Sequence, residues 1–334
     1  IRLDPGYALA YNNRGLAWDD KKEYDKAIAD YNEAIRLDPG YATTYDNRGN
    51  AWYYKEEYDK ALADYNEAIR LDPGHAIAYN NRGWVWRVKK EYDKAIADFN
   101  EAIRLDPGRA YTYKNRGDTW VSRKDYDKAV ADYNEAIRLD PTNSLAYSSR
   151  ARGWSAKKEY DKAIADYNEA IRIAPELAHA YKDRGYVSYA RGEYEKALSD
   201  CNSAVVKDDW KSNQSLYGTI MGGLAARRVG KDDAAKEMLD TADRKADKTA
   251  WPYPVVKYLR GEIDAKGLMA LATDVDKETE ARCYLGMDQA ARGEVDEARS
   301  NLRWVKDRGT PSFLEVPLAI AELDRLDAAK PASP

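Results

Sequence analysis

Asparagine recurs every 34 residues along the first half of the chain, as Asn13, Asn47, Asn81 and Asn115. A side-chain amide carries two hydrogen-bond donors and two acceptor lone pairs. A column of amides can therefore pair with both the N–H and the C=O groups of an extended peptide, whatever its side chains. The column ends at Ser149 and Asp183, so we expect such binding to weaken in the second half. Asparagine here is also compatible with an exposed helix surface or with a recent duplication.

Charged and aromatic residues in the same segments would share this peptide-binding surface. The candidates are Asp46, Asn50, Trp84, Arg87, Lys114, Asp118, Arg152 and Lys182. Acidic residues come early in this surface, with Asp19 and Asp20 beside Asp46, and basic residues come later. Such a gradient of charge would orient a bound peptide.

An arginine follows each position of the column, and an aspartate follows each arginine sixteen residues later. The pairs are Arg14–Asp30, Arg48–Asp64, Arg82–Asp98, Arg116–Asp132, Arg150–Asp166 and Arg184–Asp200. Where the arginine becomes Gly222 or Leu285, the aspartate becomes Met238 or Asn301. Because both change together, we predict structural ion pairs rather than sites for phosphate or acidic peptide ends.

A tryptophan also recurs, as Trp18, Trp52, Trp86, Trp120 and Trp154. Exposed indoles could stack on sugars or bases. The alternative, which the family resemblance described below favours, is that they belong to the core of the helix pair.

Composition and motifs exclude several other functions. The net charge of −4 gives no basic field to attract nucleic acid. The two histidines and two cysteines form no ligand set, so we predict no metal and no cofactor. Cys201 takes the place that Tyr31 has in the first repeat, which predicts a core position. No His-centred triad, GxxxxGK loop or HExxH motif occurs, so we predict no catalytic activity. No apolar run is long enough to insert into a membrane.

The elements that must position these residues are helices. The stretch EYDKAIADYNEAIRLDPG (23–40) returns with a period of 34, which the closing prolines fix as Pro39, Pro73, Pro107, Pro141 and Pro175. Its apolar residues form the stripe of an amphipathic helix at Tyr24, Ala27, Ile28, Tyr31, Ala34 and Ile35. A second stripe precedes it at Ala8, Tyr11, Gly15 and Trp18. Each repeat is therefore a predicted helix pair, and a period of this length indicates stacked units.

This pattern resembles the tetratricopeptide repeat (TPR). The family's W-x2-L-G-x2-Y…A…F…A…P order appears here as Tyr11, Arg14, Gly15, Trp18, Ala27, Tyr31, Ala34 and Pro39. The resemblance implies an all-α solenoid in a right-handed superhelix, with first helices lining a concave groove for a peptide or partner protein. Gly15 and Ala27 would then be small because the two helices cross there.

Two functional comparisons follow from the resemblance. The asparagine column is similar to the ladder with which the TPR part of a nuclear and cytosolic glycosyltransferase grips peptide backbone. The carboxylate clamp of eukaryotic chaperone-binding TPR proteins needs Lys and Asn, then Asn, then Lys and Arg. No three consecutive repeats supply that set, so we expect no binding of EEVD-type peptide ends.

The near-identity of the repeats stops after residue 211, which predicts the following division of the chain. Residues 1–7 are predicted to be the tail of a truncated repeat, and residues 8–211 form six near-identical repeats. A divergent seventh repeat (212–249) is followed by a helical insert (250–278) and a divergent eighth repeat (279–311). The chain then continues with a capping helix (312–328), which begins near Ser312, and a disordered tail (329–334). The region from Trp251 to Leu323 resembles the C-terminal part of bacterial TPR adaptor lipoproteins that recruit periplasmic enzymes. This favours a soluble bacterial protein and leaves cytoplasm and periplasm both open.

Three functions are compatible with the sequence. The first is a non-catalytic scaffold that holds an extended peptide or partner protein in the concave groove. The second is the substrate-recruiting arm of a larger enzyme whose catalytic domain lies before residue 1. The third is a structural scaffold whose exposed N-terminal end lets chains associate end to end. The identity of the ligand does not follow from the sequence.

Overall fold

The computed structural model describes residues 6–311 and 313–329, and this part of the chain contains helices and no β-strand. The first six repeats each form two α-helices joined by a short turn. These helices are α1 Ala8–Asp20, α2 Tyr24–Leu37, α3 Ala42–Tyr54, α4 Tyr58–Leu71, α5 Ala76–Val88, α6 Tyr92–Leu105, α7 Ala110–Ser122, α8 Tyr126–Leu139, α9 Ser144–Ala156, α10 Tyr160–Ile173, α11 Ala178–Ala190 and α12 Tyr194–Asp208. The predicted all-α class is confirmed.

Seven further helices follow the sixth repeat. They are α13 Gln214–Arg228, α14 Asp232–Lys245, α15 Tyr253–Leu259, α16 Ala265–Leu271, α17 Val275–Arg292, α18 Val295–Arg308 and α19 Glu315–Ala328. The start of the predicted N-terminal tail (1–5), the predicted cap Ser312 and residues 330–334 of the predicted disordered tail lie outside the described residues. None of the helices described is both long enough and apolar enough to cross a bilayer.

The two helices of a repeat approach closely at one small residue. In the second repeat a Cβ atom on Gly49 of α3 would lie 2.7 Å from the ring of Tyr65 on α4. Ala61, the small residue on α4, is completely buried. Because a side chain on Gly49 would collide with the tyrosine ring, the predicted close crossing is confirmed.

The turn inside each repeat places one residue in the left-handed backbone region. These residues are Lys22, Glu56, Lys90, Lys124 and Lys158, with φ between 60° and 62°. The later repeats have glycine there: Gly192, Gly230 and Gly293, with φ of 81°, 72° and 81°. A side chain in this conformation costs about 1 kcal/mol, so the early repeats carry a small strain that the later ones avoid.

The chain packs as two compact bodies. The N-terminal body comprises the described residues up to Arg123 together with residues 134–141. The C-terminal body comprises residues 124–133 and the described chain from Thr142 onward. In the N-terminal body, consecutive helices pack in series from α1 to α7, and the first helices of adjacent repeats touch: α1 with α3, α3 with α5 and α5 with α7. This serial stacking is that of an α-solenoid. The handedness of the superhelix stays a prediction.

The C-terminal body has a large core to which the divergent helices contribute. Buried Tyr186 and Cys201 of repeat 6 share one apolar cluster with Leu224 of α13, Tyr253 of α15 and Leu318 of α19. Helix α19 packs on α17 and α18 and also reaches α9 and α11, the first helices of repeats 5 and 6. The last helix therefore returns to the first-helix layer.

Candidate functional site

The recurring Arg–Asp pairs are ion pairs inside the repeat, as predicted. In repeat 2, Arg48 Nη2 and Nε donate to the two carboxylate oxygens of Asp64 at 2.6 and 2.8 Å, and only 5% of Asp64 is exposed. The same bidentate geometry occurs in Arg14–Asp30, Arg82–Asp98, Arg150–Asp166 and Arg184–Asp200. These guanidinium groups therefore serve the fold rather than a ligand.

Four arginines of this series also contact the preceding repeat, which the sequence analysis did not foresee. Arg48 Nη1 donates to Asn32 Oδ1 on α2 at 2.7 Å. Equivalent bonds of 2.6–2.7 Å join Arg82 to Asn66, Arg116 to Asn100 and Arg184 to Asn168. One guanidinium thus links the two helices of its own repeat and the second helix of the repeat before it.

The asparagine column also links neighbouring repeats. Asn47 Nδ2 donates to Asn12 Oδ1 at 3.0 Å, and Asn115 Nδ2 donates to Asn80 Oδ1 at 3.1 Å. Both acceptors lie on the first helix of the preceding repeat. The partly exposed amides of Asn47 and Asn115 each use one N–H in this way, which leaves the other N–H and the carbonyl oxygen for a ligand.

Asn81 is more fully engaged than the other members of the column. Its amide nitrogen donates to Asp46 Oδ1 at 3.1 Å and to Asn50 Oδ1 at 3.2 Å, and its oxygen accepts from Asn80 at 3.2 Å. Asn50 also accepts from the hydroxyl of Tyr65 at 2.8 Å. Both N–H groups of Asn81 are therefore used within the protein, whereas Asn13 at the start of the column is exposed.

The charged candidates of the N-terminal body are mostly paired. Asp46 is 4% exposed, supports Asn81 and raises the pKa of His75, whose Nε2 lies 3.9 Å away. Lys114 Nζ lies 2.7 Å from a carboxylate oxygen of Asp118, one turn further along α7. These residues therefore contribute little free charge to a charge gradient.

Trp84 and Arg87 form an aromatic and cationic cluster on α5. Trp84 Nε1 donates to the hydroxyl of Tyr53 on α3 at 2.7 Å, and the guanidinium carbon of Arg87 lies 4.2 Å from the centroid of a Trp84 ring. Arg87 Nε is buried and has no hydrogen-bond partner among the described residues. A ligand carbonyl could accept a hydrogen bond from this nitrogen.

The recurring tryptophans are only partly buried. Trp18, Trp52, Trp86 and Trp154 pack against buried residues of their repeats, and a lysine of the second helix lies over each ring. The distance from Lys60 Nζ to the centroid of Trp52 is 4.5 Å, and Lys94 lies 4.6 Å from Trp86. These indoles lie at the edge of the core with a lysine ammonium group over one face, so they do not form an open surface on which sugars or bases could stack.

The last two predicted residues, Arg152 and Lys182, line a cavity in the C-terminal body. The cavity has a volume of about 350 Å³. Its other walls include Asp183 on α11, Gln214 and Tyr217 on α13, Glu280 on α17 and Glu315 on α19. Lys182 Nζ lies 3.2 Å from Asp183 Oδ1 and faces the rings of Tyr186 and Tyr217.

Glu280 and Glu315 are buried acids of this cavity that the sequence analysis missed. Tyr217 donates its hydroxyl to both oxygens of Glu280 at 2.9 and 3.0 Å, and Trp251 Nε1 donates at 2.7 Å. The hydroxyl of Tyr284 donates to Glu315 at 2.6 Å. Burial, reinforced by the charge of Glu315, raises the pKa of Glu280 to about 8. Both acids occur once, outside the repeating pattern, so no periodic signal pointed to them.

The two cysteines are buried thiols. Cys201 and Cys283 are completely inaccessible, and burial raises the pKa of each. The predicted core position of Cys201 is confirmed. In the described part of the chain, no cluster of three or more His, Cys, Asp or Glu side chains is arranged to hold a metal ion.

Comparison with protein families identifies the repeats. Family models described as tetratricopeptide repeat match residues 8–41, 47–110, 110–143 and 150–213. A search of curated proteins gives no match.

Solved structures with a similar fold are distant from this chain in sequence. A tetratricopeptide repeat protein from Parabacteroides merdae is 18% identical with a TM-score of 0.57, and the match covers 75% of this chain and 96% of that one. PilW, described as a widely conserved type IV pilus biogenesis factor, is 18% identical with a TM-score of 0.56 over 64% of this chain and 94% of its own. PilF from Pseudomonas aeruginosa is 17% identical with a TM-score of 0.52, and the match covers 77% of this chain and 97% of PilF. At these identities the likeness shows the fold alone.

Proposed function

Because this chain belongs to the tetratricopeptide repeat family and is a protein-interaction scaffold, we propose that it holds an extended segment of a partner protein along the first helices of its N-terminal body. The role is non-catalytic. The main contacts are hydrogen bonds between side-chain amides and the backbone of the partner.

The observation that carries this proposal is the spare hydrogen-bonding capacity of the amide column. Asn47 and Asn115 each donate one N–H to the preceding repeat, which fixes the amide plane. The second N–H and the carbonyl oxygen remain as a donor and an acceptor, the same pair that each residue of an extended peptide presents. An amide held in place before binding loses little conformational entropy when a peptide arrives.

Two features of repeat 3 support the same surface. The buried Nε of Arg87 is a donor that has no partner among the described residues, and buried donors of this kind normally have one. Trp84 beside it offers an apolar face for a side chain or a stretch of backbone. Asn81 acts differently from its neighbours, since it holds Asp46 and Asn50 in position.

The experiment uses a pool of randomised ten-residue peptides. The immobilised protein enriches peptides from the pool, mass spectrometry identifies them, and calorimetry measures one enriched peptide against wild type and Asn47→Ala/Asn115→Ala. Each lost amide removes about 0.5–1.5 kcal/mol of net hydrogen bonding, so affinity should fall about 5- to 150-fold. N-methylation of alternate peptide bonds should weaken binding to wild type to a similar extent, with little dependence on salt.

A matched control is Asn202→Ala, an exposed asparagine on α12, the second helix of repeat 6. It should bind the peptide as wild type does. Equal affinity of the double variant and wild type would refute the proposed amide contacts. Binding that persists after N-methylation but disappears in high salt would assign recognition to Arg87 and other charged residues instead.

A further inference from the structure

The cavity of the C-terminal body is a second polar site, separate from the amide column. Its volume of about 350 Å³ lies in the range of ligand pockets, at the small end. It is bounded by the first helices of repeats 5 and 6 and by the divergent helices α13, α17 and α19. Three of the residues around it, Asp183, Glu280 and Glu315, are acids with 5–7% of their surface exposed.

The donors that hold Glu280 and Glu315 in place are neutral groups. Glu280 accepts hydrogen bonds from the Tyr217 hydroxyl and the Trp251 indole N–H, and Glu315 accepts one from the Tyr284 hydroxyl. Neutral donors offset only part of the cost of burying a carboxylate, which an opposite charge would offset more fully. Lys182 also lines the cavity, but it is paired with Asp183, and no described cation forms an ion pair with either glutamate. A positive charge that arrives in the cavity would therefore stabilise the ionised forms of Glu280 and Glu315.

Unsatisfied oxygen atoms around the cavity point to a donor ligand. Asp183 Oδ1 and Gln214 Oε1 are buried and accept no hydrogen bond from the described residues. Lys182 Nζ forms an ion pair with Asp183 Oδ1 at 3.2 Å but not in hydrogen-bonding geometry. Buried acceptors without a donor are rare in folded proteins, so these oxygens mark places for N–H groups.

We propose that this cavity binds the cationic end of a lysine or arginine side chain from a partner protein. An ammonium group brings three N–H donors and a guanidinium brings five, and neither accepts hydrogen bonds. Such a group matches acceptors that belong to Glu280, Glu315, Asp183 and Gln214. The site does not depend on the asparagine column, and either proposal can fail while the other holds.

Binding should strengthen as the solution becomes more basic. Glu280 has a raised pKa of about 8, so it is mostly protonated at neutral pH, and a cation binds its ionised form. Between pH 7 and 8.5 the ionised fraction, and with it the affinity, should rise about eight-fold. The charged and titratable groups that face Glu280 around the cavity are Glu315, Tyr217, Lys182, Asp183, His179 and Arg152.

The probes are three blocked amino acids added to the full chain in calorimetry: the N-acetyl N-methylamides of lysine, arginine and norleucine. Norleucine has the apolar stem of lysine without its charge. A charge-assisted contact should make the lysine or arginine probe bind about 10- to 150-fold more tightly than norleucine. Glu280→Gln and Glu315→Gln should each reduce this preference about ten-fold or more and flatten the pH dependence.

The controls separate loss of binding from loss of folding. Glu176→Gln, an exposed acid outside the cavity, should leave binding unchanged, as should Asn47→Ala/Asn115→Ala. Thermal unfolding by circular dichroism shows whether each variant is folded, and Asp183→Asn replaces any glutamine variant that is not. Equal binding of norleucine and the two cations, or an unchanged preference in folded Glu280→Gln or Asp183→Asn, would overturn the proposal.

Discussion

The Arg82–Asp98 pair of repeat 3 offers a direct test of what stabilises the repeats. Arg82 Nη2 and Nε contact the carboxylate of Asp98 at 2.6 and 2.8 Å, and the side chains are 20% and 9% exposed. Arg82 Nη1 also donates to Asn66 of repeat 2 at 2.7 Å. Three substitutions separate these contributions: Asp98→Leu, Arg82→Leu and the double variant.

The expected loss in free energy of unfolding depends on which of the two charges remains without its partner. Breaking a buried pair on one side costs about 3–5 kcal/mol, and Asp98→Leu should be near 3 because Arg82 keeps some exposure and its bond to Asn66. Arg82→Leu should cost at least as much, since the stranded carboxylate is more deeply buried. The double variant should lose only about 1 kcal/mol, the value of the missing bond to Asn66. Uncharged residues occupy the corresponding positions of α13 and α14, where Gly222 and Met238 pack together.

Urea unfolding followed by circular dichroism measures these differences. Substituting either partner of the exposed Glu101–Arg104 pair on the same helix provides the control, and it should leave the midpoint unchanged. A double variant as unstable as the worse single variant would refute the ion-pair argument. Negligible effects in all three would show that the pair is solvated.

The pH dependence of Arg82→Leu gives a second measure of the same pair. Burial already raises the pKa of Asp98, and removal of Arg82 raises it further. An acid with a raised folded-state pKa contributes stability below its unfolded pKa and loses it as pH rises. Arg82→Leu should therefore lose stability as the pH rises above about 4, the ordinary pKa of an aspartate, by at most about 1.4 kcal/mol per pH unit and more steeply than wild type.

Three further predictions concern the helix crossing within a repeat, the contacts between repeats and the turn inside a repeat. Gly49→Leu should destabilise by about 2 kcal/mol or more, because its side chain would enter a tyrosine ring, while Gly40→Ala, with its nearest atom at 3.5 Å, should be neutral in urea unfolding. Asn81→Ala should lower the free energy of unfolding by about 1–2 kcal/mol because it breaks two bonds to repeat 2, whereas Asn13→Ala at an exposed position should change it little. Lys90→Gly should raise the thermal midpoint slightly, since φ of 62° suits glycine, and an unchanged or lower midpoint would contradict the assigned strain.

The sequence predicted the repeat architecture because the determining contacts recur. Gly49 meets Tyr65 within one repeat, and the same spacing returns in each copy, so a single period contains most of the fold. The left-handed turn was not predicted, because Lys90 and its equivalents give no sign of positive φ. Only the glycines of the later repeats mark that position.

The candidate site was predicted in part. Joint changes of arginine and aspartate correctly indicated the ion pairs, but the bond from Arg48 to Asn32 was overlooked. Asn32 and its copies recur with the same period, so that signal was visible. The asparagine column was identified as a possible peptide contact, whereas its bonds between repeats depend on how far apart adjacent first helices lie, which the sequence does not give.

The cavity was beyond sequence analysis for a physical reason. A contact required for stacking appears once in every repeat. The surroundings of Glu280 and Glu315 form only once, where α19 packs on α9 and α11 and α17 packs on α13. These contacts give Lys182 and Asp183 a different environment from their equivalents in earlier repeats, where the position of Asp183 holds asparagine in repeats 1 to 4 and serine in repeat 5. Asp183 no longer needs to bridge repeats as an amide, and it contributes a buried charge instead. The two proposed sites therefore differ in chemistry, because one consists of repeated amides and the other of acids that lie beside non-repeated helices.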